Sequence, residues 1–226
     1  MVDKTRVAHF CLITALLIGG CGGGGGGGSD PAPQQNLQSA SAPSQPMSLS
    51  STTLTATDSS GNTWTATYSS TPNGTGTFDG QSANTSAIAL TISENGTVVS
   101  TEDSTAYYLV TPYSPLGLSG TTNGTAWTAT ITSYTPLPAT LTVGASGPLD
   151  SVTYTDGMGN NIGSLTETYT VTADDPNSLF LNVDAAGSVN GVQETETLTY
   201  SIGSDGTLQG LVQVQVTLNG TTLTFT

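Results

Sequence analysis

The chain has 226 residues, a formal charge of −14, 8% charged side chains and 35% hydrophobic ones. Lys4, Arg6 and His9 are its only basic side chains, so residues 10–226 hold no Lys, Arg or His. The 15 carboxylates of that segment (16 Asp plus Glu, less Asp3) disfavour nucleic acid and anionic headgroups as partners, and catalysis built on histidine, lysine or a guanidinium is excluded there.

The first predicted element is an export signal. Lys4 and Arg6 form a charged n-region, and Phe10–Ile18 is an apolar h-region. That stretch is far short of the roughly 20 apolar residues a membrane-spanning helix needs. It ends in Leu17-Ile18-Gly19-Gly20-Cys21, which resembles the lipobox of bacterial lipoproteins. The resemblance covers residues 1–21 and implies cleavage before Cys21, removing residues 1–20, and acylation of the Cys21 thiol by fatty chains such as palmitate. More than one acyl chain gives stable anchoring. Gly22 follows the cysteine where an aspartate marks inner-membrane retention, so the class implies the outer membrane. Cys11 is then discarded and Cys21 lipidated, leaving no internal disulfide, thiol nucleophile or thiolate metal site.

Residues 21–50 read as a tether. Gly22–Gly28 is unbroken glycine, and a Ser/Pro/Gln/Ala stretch follows to about Ser50. Such a composition cannot bury a core and is expected to stay disordered. As a flexible coil it reaches roughly 30 Å from the membrane.

Residues 51–226 read as one acidic, Thr-rich, all-β domain. Asn-Gly at 73–74, 95–96, 123–124, 190–191 and 219–220, and Asp-Gly at 79–80, 156–157 and 205–206, tolerate the positive φ of hairpin turns. Between them the pattern alternates with period two. Trp64, Ala66 and Tyr68 oppose Thr63, Thr65 and Thr67, and Val212, Val214, Val216 and Leu218 oppose Gln213, Gln215 and Thr217. This predicts roughly ten to twelve short antiparallel strands, each with one wet face. Gly61-Asn-Thr-Trp-Thr-Ala-Thr also matches Gly124-Thr-Ala-Trp-Thr-Ala-Thr, marking related units of about 61–120 and 124–186. A duplicated meander that curls or closes into a barrel or sandwich removes its own edges, which this chain has no Lys to protect. Two tandem sandwiches split near Pro112–Pro115 are the alternative.

Three sets of residues are candidates for chemistry. Trp64 and Trp127 hold equivalent repeat positions and read either as core anchors or as sugar-stacking platforms. Glu167 has the parity of Leu165 and Tyr169, and Glu194 and Glu196 that of Val192 and Leu198, which aims all three at the apolar side. A bulge or a strand end would return them to solvent. If buried, they must bind a ligand or metal, accept hydrogen bonds or stay protonated. The loops with Asp156 and Asn160, and with Asp174, Asp175 and Asn177, gather oxygen donors that read as turn chemistry or as Ca²⁺ ligands. The expected function is a lipid-anchored, non-enzymatic envelope module for binding, adhesion or structure, its protein or glycan partner unnamed by the sequence. A calcium- or carbohydrate-binding module is the alternative, and a glycan hydrolase using two of the three glutamates is the enzymatic one.

Overall fold

The computed structural model describes residues 38–41, 51–110, 113–218 and 221–226; Cys21, the glycine run and the Asn219–Gly220 pair lie outside the described residues. Every regular element among the described residues is a strand. In chain order these are β1 (Ser39–Ser41), β2 (Thr52–Thr57), β3 (Thr63–Phe78), β4 (Gln81–Glu94), β5 (Thr97–Val110), β6 (Tyr113–Thr122) and β7 (Thr125–Tyr134). There follow β8 (Thr140–Thr142), β9 (Ser146–Asp156), β10 (Asn161–Ala173), β11 (Ser178–Val189), β12 (Val192–Gly203), β13 (Leu208–Leu218) and β14 (Thr221–Phe225).

Twelve of these strands form one antiparallel sheet in chain order, β8 being set aside so that β7 pairs with β9. The first and last strands meet where Thr55 N donates to Thr226 O at 3.1 Å and Thr226 N donates to Thr55 O at 2.9 Å. The meander is thereby nearly closed into a barrel. Its β5–β6 hairpin crosses the region where the tandem-sandwich alternative placed a domain boundary.

The turns explain the register. Asp79-Gly80, Asn95-Gly96, Asn123-Gly124 and Asn190-Gly191 all have positive φ at both residues, between 47° and 80°. Positive φ at both positions suits the right-handed twist of the flanking strands. Two of these tips also bond sideways: Thr63 N donates to Asn95 Oδ1 and Thr101 N to Asn123 Oδ1, each at 3.0 Å. Asn73-Gly74 departs from the expected hairpin. It lies within β3 at a register shift between Pro72 and Thr75, and the chain runs on to turn at Asp79-Gly80. Pro72 has no N–H to give the ladder, and Gly74 absorbs the bend at φ 83°. β3 consequently has 16 residues and β4 has 14, longer than the short strands expected.

Alternation fills the barrel. Trp64, Ile92, Leu118, Leu149, Leu179, Tyr200 and Phe225 are among the most deeply buried side chains. Leu90, Leu198, Leu211 and Val214 border a void of only about 10 Å³, room for a single water. Side chains fill the barrel interior at that level. Val212 departs from its predicted face. A register shift between β12 and β13 places Leu211 opposite Tyr200, so Leu211 is buried and Val212 is 38% exposed. One extra residue in the ladder reverses the parity of everything before it.

Residues 39–41, which the sequence assigns to a tether, are paired. Ser39–Ser41 pair with Thr140–Thr142, and Val143 N donates to Gln38 O at 2.9 Å. Ala40, Leu137 and Leu141 are buried and belong to the main core, so this small β1–β8 pair caps it. The disordered tether predicted for 21–50 is corrected at these residues.

Candidate functional site

The duplication gives the barrel two related tryptophans. Trp64 is the Cα partner of Glu94, the last residue of β4, and Trp127 is the partner of Asp156, the last of β9. Both rings are buried, at 1% and 8% exposure. Trp64 Nε1 donates to Asp58 Oδ2 at 3.2 Å, and Trp127 Nε1 donates to Thr122 Oγ1 at 2.9 Å. Both rings are packed in the core and tied to polar partners, and Trp127 also lines a small pocket of about 80 Å³ together with Ala126, Tyr154, Ile162 and Val189.

The three glutamates do point inward. Glu167, Glu194 and Glu196 are 1%, 4% and 3% exposed. Two further acids join them, Glu102 at 3% and Asp150 at 5%. These two carried the same signal, since Glu102 shares parity with Ala106 and Tyr108, and Asp150 with Val152 and Tyr154; sequence reasoning passed over them. The phenol of Tyr154 stands among Glu167, Glu102, Glu196 and Glu194, which links four strands into one cluster.

The cluster has no cation to draw on, so its chemistry is that of protons. Burial pushes the Glu102 carboxyl up to about 8, against a hydrogen bond from Thr122 Oγ1 at 3.1 Å. Trp127, Thr122 and Glu102 thus form a chain of two hydrogen bonds. Burial first and Glu196 second push Glu194 up to about 9. Asp150 and Glu167 are direct partners on β9 and β10, and their carboxyl groups meet within hydrogen-bonding reach. No protein N–H or O–H donates to any of their four oxygens. Burial raises both, Asp150 to about 7 against the lowering effect of its hydrogen bond with Glu167, and the charges of Asp150 and then Glu196 raise Glu167 further. Two carboxyls in that position share a proton and titrate as a pair.

The loop acids behave in the opposite way. Asp156 Oδ1 accepts from Met158 N and Asn160 N, and Oδ2 from Asn160 Nδ2, at 2.8–2.9 Å. Asp58 makes the same set with Ser60 N, Asn62 N and Asn62 Nδ2, so Asp-x-x-Gly-Asn is a repeated five-residue closure. The Asn62 amide groups, chiefly, lower Asp58 to about 2, and Asn160 lowers Asp156. In the other predicted loop Asp175 Oδ1 accepts from Asn177 N and Ser178 N, while Asp174 Oδ2 accepts from Ser178 Oγ and Ser201 Oγ. Both oxygens of Asp156, and one oxygen each of Asp174 and Asp175, thus accept from turn or neighbouring hydroxyl donors. Among the described residues no group of three or more Asp, Glu, His or Cys is arranged to hold a metal ion.

The outside of the barrel offers a second region. Phe78 and Ala83, at the tip of the β3–β4 hairpin, are buried outside the main core. The Phe78 ring packs on Tyr107 at 4.9 Å and occupies the space above Gly117, where a Cβ would stand 2.4 Å from it. Beside this contact, Thr71, Ala87, Asp103, Thr105, Ser119 and Thr121 line an open groove of about 420 Å³. Gly120 forms part of its floor, where a Cβ would fall 2.6 Å from the Asp103 carbonyl oxygen.

Comparison with family models, curated proteins and solved structures finds no match to the chain.

Proposed function

We propose that the chain is a lipid-anchored envelope protein of the bacterial outer membrane whose barrel is a non-enzymatic module for binding, adhesion or structure. The observation that carries this reading is where the acids lie. Five acids lie together inside the barrel wall, whereas Asp58, Asp156 and Asp175 on the surface are bonded to their own loops. What the barrel presents outward is chiefly threonine and serine. The groove across β3–β6 is an open contact surface of the size ligand sites have. Its hydroxyl and methyl lining around one carboxylate suits a polyhydroxylated ligand, which favours a glycan as the second reading.

Two measurements test the proposal. Wild-type protein should enter the detergent phase with an acylated Cys21, and Cys21→Ser should remain aqueous; a non-acylated mature wild-type N-terminus removes the anchor. On glycan arrays and isolated envelope components, the Cys21→Ser chain should bind without turnover. Ala87→Trp, which fills the groove, should abolish that binding, and Glu167→Gln should leave it. A glycan product that disappears in Glu167→Gln would make the protein a hydrolase.

A further inference from the structure

The β1–β8 cap hangs from the part of the wall that holds the Asp150–Glu167 pair. The β9–β10 ladder shifts register at that point. Glu167 faces Asp150, but Thr168 faces Pro148, so Leu149 is the extra residue. The Leu149 carbonyl accepts a hydrogen bond from Thr135 N, at the start of the cap's first leg. The second leg is fixed by Gly144 N to Val171 O and Val171 N to Ala145 O, both 2.9 Å, four residues beyond Glu167 on β10. Between the legs, Leu141 is fully buried and pairs with Ala40 of the tether strand. Besides the core burial of Ala40, Leu137 and Leu141, the cap is held by backbone bonds to the two strands joined by the acid pair.

We propose that the proton shared by Asp150 and Glu167 latches the β1–β8 cap, and with it the tether strand, onto the barrel. With the proton present, the pair is one carboxylic acid donating to one carboxylate, and it draws β9 and β10 together across the shift. When the proton leaves to solvent, two carboxylates face each other in a region of low dielectric. The groups around them supply no positive charge. Asp150 faces Tyr134 of β7 and Tyr113 of β6 as well as Glu167, and Glu167 faces Glu196 and Tyr200 of β12 and Tyr154 of β9. All are acids or phenols, and residues 10–226 supply no cation. The strain falls on Leu149, the least regular point of the ladder, and from there on the Thr135 bond that carries the cap. On the lipid-anchored reading proposed above, a change of pH in the envelope would then be read as a change in how firmly the segment leading to the anchor grips the barrel.

Amide hydrogen exchange of the Cys21→Ser chain at pH 5 to 8.5, corrected for the intrinsic rate, tests the latch. Protection at Leu141, Ala145 and Val171 should fall by roughly tenfold or more over that range. In Asp150→Asn the amide donates to Glu167 at every pH, so the same amides should stay protected throughout. Glu102→Gln, which neutralises a buried acid outside the pair, should keep the wild-type pH response. Equal protection of the wild-type cap at both pH limits would overturn the proposal, as would an unchanged response in Asp150→Asn or a lost one in Glu102→Gln. If Asp150→Asn does not fold, Glu167→Gln gives the same reading from the other partner.

Discussion

Asp156 and Asp150 lie on the same strand, six residues apart, and ionise in opposite senses. Asp156 ends β9 in a loop whose amides hold its carboxylate below the ordinary range. Asp150 sits inside the wall, where burial raises its carboxyl to about 7. The comparison extends to the whole molecule. Asp58, Asp156, Asp175 and Asp205 are stabilised as anions by turn donors, whereas Glu102, Asp150, Glu167 and Glu194 are driven towards the neutral acid by burial. A formal charge counted from composition therefore overstates the charge of the folded barrel at neutral pH, and folding takes up protons.

The largest expected effect is on stability against pH. Raised interior values mean that stability is fully present below the unfolded values near 4.5 and is lost as pH rises through the folded values, about 7 for Asp150, 8 for Glu102 and 9 for Glu194. The lowered loop values act at the other end. Their contribution is present above 3.8 and lost as pH falls towards the Asp58 value of about 2. Stability should peak near pH 4–5 and decline by several kcal/mol towards pH 9. Urea unfolding midpoints across pH 2–9 check this; a plateau from pH 5 to 8 would place the interior acids in contact with water.

Glu102→Gln separates the two regions with one atom. At pH 4.5 the acid is already neutral and the change should be nearly silent, with Thr122 still bonded to the amide oxygen. At pH 9 the variant should be more stable than wild type by about 1–3 kcal/mol, because the buried charge is gone. Asn160→Ala is the converse experiment. It removes a side-chain donor from Asp156, so it should raise the Asp156 value towards 3.8 and lower stability slightly at neutral pH, read by carboxyl NMR titration and thermal melting.

Much of this contrast was legible in the chain. Period-two alternation aimed Glu167, Glu194 and Glu196 inward, and the strands there are regular enough for parity to hold. The same rule would have found Glu102 and Asp150. It failed at Val212, because a bulge leaves no signature in a run of apolar and glutamine residues. It failed at Asn73-Gly74, where a turn dipeptide became a bend inside a long strand, since the partner on β4 continues past it. The β1 strand was invisible for a different reason. Ser39-Ala40-Ser41 has no pattern of its own, and its pairing depends on Leu141, a hundred residues away. The outer groove likewise gathers residues from β3, β4, β5 and β6, which depends on tertiary packing and not on local periodicity.

The smallest effect concerns salt, and it sharpens the comparison at the surface. Exposed loop carboxylates are screened by ions, because at about 0.15 M salt the Debye length is roughly 8 Å, while the interior acids are shielded from ions by the wall. Raising NaCl at pH 7 should therefore stabilise the barrel only slightly, through mutual repulsion of the surface charges. Calcium at matched ionic strength should do no more. Each Asp156 oxygen already accepts from Met158 or Asn160, and a cation seeking six or more oxygens would have to displace those donors and unmake the turn that joins β9 to β10. Equal melting shifts in CaCl₂ and NaCl are thus expected for wild type and for Asp156→Asn. A calcium-specific rise that disappears in Asp156→Asn would instead show that the turn donors yield to the metal, and would restore the loop as a calcium site.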